Sequence, residues 1–147
     1  MENSNAPGKG LLKVVGILSL IFGGIGCITT YVGFTTVDLM NLTQPLNHGM
    51  SWQTYYLIAF LFTAWGIFVA VMAVINCSIL EKASFLKMLG KIQIVSYIFQ
   101  GIFIVIFIGL SSVVLLPISF VFPILYIVGA SKNETEYNNT KEKMSSE

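Results

Sequence analysis

Four long apolar blocks, separated by short polar stretches, set the pattern of this chain. A helix rising about 1.5 Å per residue needs roughly 20 apolar residues to cross about 30 Å of hydrocarbon. The blocks Val14–Phe34, Tyr55–Leu80, Ile92–Leu110 and Val113–Ala130 approach or reach that length, and none holds a charged residue. They predict an all-α integral membrane protein, with residues 1–130 folded as an antiparallel four-helix bundle. The remaining residues, 131–147, are polar, mixed in charge and without an apolar face, and are expected to form a disordered cytoplasmic tail.

A second period runs inside the first two blocks. Small residues recur at Gly16, Ser19, Gly23, Gly26, Thr30 and Gly33, and again at Ala59, Thr63, Gly66, Ala70, Ala73 and Cys77, in alternating steps of three and four. A repeat of about 3.5 residues keeps one stripe facing a partner through a left-handed supercoil. In lipid, apolar side chains gain little by leaving the solvent, so association relies on close backbone approach. The simplest expectation is that the two stripes face each other, and the alternative is a seam between protomers.

The third block carries Gln93, Ser96 and Gln100 at helical spacing. Buried amides need hydrogen-bond partners, so this face is expected to point into the bundle. It serves either as interhelical glue or as the lining of a solute path. The fourth block contains Pro117 and Pro123, which remove backbone donors and are expected to bend the helix, Pro123 most of all.

Charge sets the orientation. All eight cationic residues are lysines. Lys9 and Lys13 precede the first block, Lys82, Lys87 and Lys91 separate the second from the third, and Lys132, Lys141 and Lys143 follow the fourth. The segment 35–52 has no Lys or Arg. The positive-inside rule therefore predicts cytoplasmic termini. Trp52, Tyr55, Tyr56 and Tyr31 fit an aromatic belt at the outer interface. Lys9, Lys13 and Val14–Ile25 resemble the start of a secretory signal, and Gly24–Cys27 approaches a lipoprotein cleavage box. The apolar stretch continues past Cys27, so the block reads as a retained span.

Composition supports the class: 55% of residues are hydrophobic, 10% charged, and mean hydropathy is +0.80. A net charge of +1 offers no basic surface for nucleic acid. Intramembrane catalysis usually shows itself through ionisable residues, and no span has one at its centre. Asp38 and His48, in the outer segment, fall short of the three or four ligands a metal site takes. No cofactor or metal is expected, and Cys27 and Cys77 read as small packing residues. The inner segment around Lys82–Lys91 is expected to lie along the headgroups as an extension of the third helix.

The stretch FPILYIVGASKN, Phe122–Asn133, resembles the C-terminal end of small, uncharacterised four-span proteins of Gram-positive bacteria. The four-span layout is also similar to that of tetraspan families. Neither likeness implies an activity. The expected function is a non-enzymatic protein of the plasma membrane, an accessory subunit or self-associating scaffold. Its partners would be the lipid bilayer and a membrane protein or a second copy of itself. The alternative is an oligomeric small-solute channel or transporter lined by the Gln strip.

Overall fold

A computed structural model describes residues 6–38, 46, 49–109 and 119–146. Four long helices make up the described chain: α1 Lys9–Thr35, α2 Trp52–Asn76, α3 Ala83–Phe107 and α4 Val121–Ser146. A single 3₁₀ turn, Leu80–Lys82, precedes α3, and there is no strand among the described residues. Among the described residues three helical stretches are long and apolar enough to cross a membrane: Lys9–Thr35, Trp52–Asn76 and Leu80–Phe107. Of the expected fourth span, residues 113–118, with Pro117, lie outside the described residues.

The helices run up, down, up and down. Gly16 of α1 lies against Ala70, Ala73 and Val74 of α2, and Gly33 against Tyr56, so α1 and α2 are antiparallel. Gly90 of α3 meets Tyr126 and Ile127 of α4, while Tyr97 and Phe120 pack edge to face with ring centroids 6.1 Å apart. Leu12 touches Gly129, and the Phe22 and Phe122 rings lie 5.6 Å apart, which closes the ring of helices from α4 back to α1.

Side-chain size is distributed inside out. Large apolar residues point away from the bundle: Ile28 is 65% exposed and Leu61 61%. Gly16, Gly33, Ala70, Ala73 and Gly101 are buried. An apolar solvent removes the penalty for exposing Ile and Leu, and small residues inside let backbones approach and gain dispersion contacts. The largest buried cluster sits where α1 and α3 begin, α2 ends and α4 passes, and includes Leu12, Ala73, Cys77, Leu86, Tyr126 and Ala130.

Several boundaries differ from expectation. α2 ends at Asn76 rather than at Leu80. Leu80 turns inward, as do Ala83, Leu86 and Leu89, all less than a tenth exposed. The inner segment thus supplies core rather than lying along headgroups, although Phe85 and Met88 remain exposed. Pro123 is the third residue of α4 as described, and the helical run is interrupted at the Phe120 turn, between helical Ser119 and Val121. A proline has no N–H to carry the ladder back across that turn, and the residues before Ser119, on which a bend would be measured, lie outside the described residues.

The tail is helical to Ser146 rather than disordered. It propagates from a helix already formed, which avoids the cost of nucleation. Thr135 and Thr140 hydroxyls donate to carbonyls one turn back, Ser131 and Glu136. Its first turn is also tied to the bundle, as described next.

Candidate functional site: a partly open pocket above a four-helix clasp

Asn133 is fully buried at the end of the bundle. Its Oδ1 accepts the Gly8 N–H at 2.6 Å, and its Nδ2 donates to the Cys77 carbonyl at 3.0 Å. One amide thereby satisfies a free donor at the start of α1 and a free acceptor at the end of α2. Gly8 approaches Gly129 so closely that a Cβ there would collide with the Gly129 carbonyl. One residue on, Glu134 accepts a charge-assisted hydrogen bond from Lys87 of α3 at 2.6 Å. That bond, helped by Ser84, holds the Glu134 carboxyl below its ordinary value of 4.5 despite an opposing effect of burial. Asn133 and Glu134 of α4 therefore clasp all three other helices at one end. Hydropathy could not reveal this, since a lone Asn in a polar tail carries no periodic signal.

The expected small-residue seams meet only in part. Gly16 faces Ala70 and Ala73, and Gly26 faces Thr63. Elsewhere the α1 glycines receive large α2 side chains: a Cβ on Gly23 would lie 2.7 Å from Ile67, and one on Gly33 would overlap the Tyr56 ring. Gly66 turns to α3, its nearest neighbour being Gln93 Nε2. Cys77 lies in the cluster by the clasp, its thiol donating to the Val74 carbonyl at 3.2 Å. Ala59 accepts the Thr63 hydroxyl at 2.9 Å. Ser19 lines the cavity described next, and Thr30 is half-buried near the far end of α1.

Above the buried cluster the four helices line a partly open pocket of about 220 Å³. It runs from the level of Val15 and Tyr126 to that of Gly26 and Phe62. α3 lines it with Gln93, Tyr97 and Gln100. Ser96, expected beside the two glutamines, is not in the lining. At about 100° per residue Ser96 stands roughly 60° from Gln93, Tyr97 roughly 40° on the other side, and Gln100 only roughly 20°. Ser119 and Pro123 reach the cavity from the α4 side. Gln93 is 5% exposed and Tyr126 3% exposed, yet Gln93 Oε1 and the Tyr126 hydroxyl find no hydrogen-bond partner among the described residues. Among the described residues no Lys, Asp, Glu or His lines the space. Among the described residues no three His, Cys, Asp or Glu side chains gather as a metal site would require. Asp38 is exposed just past α1, and His48 lies outside the described residues.

At the opposite end, Trp52, Tyr55 and Tyr56 pack as a cluster with ring centroids 5.4–5.8 Å apart. Ser51 caps α2 by accepting the Thr54 N–H at 3.3 Å.

Comparison of the chain with protein-family models, with curated proteins and with solved structures gives no match.

Proposed function

We propose that this protein is a non-enzymatic, four-span protein of the plasma membrane, with both termini cytoplasmic, and that it serves as an accessory subunit. The observation that carries this reading is α4, which leaves the bundle after the clasp and continues as a polar helix to Ser146. From Lys141 onward that helix is exposed on all sides. It is a fixed extension aimed away from the apolar bundle, suited to contact with a soluble or membrane-bound partner. The lysines support the orientation: Lys9, Lys13, Lys82, Lys87 and Lys91 all belong to the clasped end, where α4 also departs. Gly16, Gly23, Gly26 and Gly33 of α1 are occupied by α2 within one chain, which leaves Gly24 and large apolar residues such as Ile28 on the outer surface for any self-association.

Native mass spectrometry from membrane-derived nanodiscs tests the reading. The full chain is expected above its protomer mass, and a chain ending at Tyr137 is expected to return to it. A full chain found only as a free protomer overturns the proposal.

The cavity favours a second reading, an oligomeric small-solute channel or transporter in which Gln93 and Gln100 line the path. Flux through proteoliposomes that falls on Gln100→Leu would replace the accessory-subunit reading with this one.

A further inference from the structure

We infer that the pocket between the four helices holds one acyl chain of a bilayer lipid, admitted through its open side. The inference rests on the reading of the helices as membrane spans and not on the accessory-subunit role. Three observations carry it.

The first is the wall. Val15, Phe22, Phe62, Val69, Phe122 and Pro123 line the pocket. Thr63 gives its hydroxyl to the Ala59 carbonyl at 2.9 Å and turns its methyl toward Gly26. Gln93 Oε1 and the Tyr126 hydroxyl oxygen are sealed in the packing, out of reach of anything in the pocket. The surface left to an occupant is mainly hydrocarbon, with Gln100 and Ser119 toward the aromatic end. An ion or a strongly polar solute would give up its hydration here for little return.

The second is the shape. The lining runs along α1 from Val15 to Gly26, about 16 Å at a rise of about 1.5 Å per residue. About 220 Å³ spread over that length is a slot and not a bowl. Gly26, Gly66 and Ala70 contribute almost no side chain to it. A linear chain fits such a space better than a compact molecule.

The third is the depth. α1 begins at Lys9 and ends at Thr35, so it extends about 9 Å before Val15 and about 13 Å beyond Gly26. The slot and its open side therefore lie at the level of the hydrocarbon core, which is about 30 Å thick. The molecules at that mouth are acyl chains. An empty slot would deprive its lining of dispersion contacts, and a chain entering from the side supplies them.

The test uses the full chain in phosphatidylcholine nanodiscs doped with a phosphatidylcholine that carries a photoreactive diazirine at the end of one acyl chain. After illumination, mass spectrometry maps the labelled residues. Outward-facing Ile28 and Leu57 report the surrounding lipid. Phe62 and Phe122 report the slot. Both sets should be labelled in the wild type. A Cβ on Gly66 meets only Gln93 Nε2, at 3.5 Å, so a leucine there grows into the slot. Gly66→Leu should lose the label at Phe62 and Phe122 and keep it at Ile28 and Leu57. Circular dichroism checks its helicity, and Ser19→Leu, which fills the slot from α1, takes its place if the helices are lost. Label at the outward residues alone overturns the inference and leaves the spans standing. No label at any of the four overturns both. Label at Phe62 and Phe122 that survives filling of the slot also overturns the inference.

Discussion

Glycine in α1 has two kinds of neighbourhood, and the difference is decided residue by residue. A Cβ on Gly16 would lie 3.0 Å from the Ala70 carbonyl oxygen and 2.7 Å from Val74, whereas one on Gly24 would meet nothing within 4 Å. Backbone cannot move aside as a side-chain tip can, so Gly16 is a point of fixed approach between α1 and α2. Gly16→Leu is expected to destabilise the protein by about 1–3 kcal/mol, as overpacking does, and Gly24→Leu to be near neutral. Thermal unfolding in mild detergent compares them, and equal losses would show that helix propensity rather than contact governs both. Asn133 works at the same scale by a different means. Its amide replaces two hydrogen bonds that helix ends would otherwise leave open, each worth about 0.5–1.5 kcal/mol net.

At the scale of elements, the ion pair joining α3 to α4 makes part of the stability pH-dependent. The Glu134 carboxyl is held below its ordinary value by the Lys87 hydrogen bond. The folded state therefore favours the ionised form. Its contribution is present above 4.5 and fades as the pH falls through the lowered value. Lys87 and Glu134 are 32% and 26% exposed, so screening limits the effect to about 1 kcal/mol or less. Unfolding temperatures measured from neutral to about pH 3 should decline less in Glu134→Gln than in wild type. An identical decline would show that this pair does not contribute.

The elements also show what was legible in the sequence. The apolar blocks marked α1, α2 and α3, because membrane thickness imposes a length that composition alone can meet. Their limits were less legible. Leu80, Leu86 and Leu89 extend the apolar count but pack inward at the clasped end, as they would in a water-soluble core. Gln93 and Gln100 line the pocket and Ser96 does not, because helical spacing alone is too coarse to separate Ser96 from Tyr97. The helical tail is not legible in composition, because it continues the helix before it and is tied to the bundle through Asn133 and Glu134.

For the whole molecule, the uneven placement of ties sets how it moves. Asn133 and Glu134 join four helices at one end. This placement predicts a tongs-like motion, with a stiff pivot on the lysine-bearing side and arms that part toward the aromatic side, where ring contacts such as Tyr55 on Phe103 are the ties to be broken. Spin labels report this directly. A pair at Val14 and Met88, near the pivot, should give a narrow distance distribution, and a pair at Val32 and Ile106, along the arms, a broad one. Equal widths would mean the rods move as one body. If the arms do part, whatever enters between them can come sideways from the surrounding lipid, with no need of a pore along the axis.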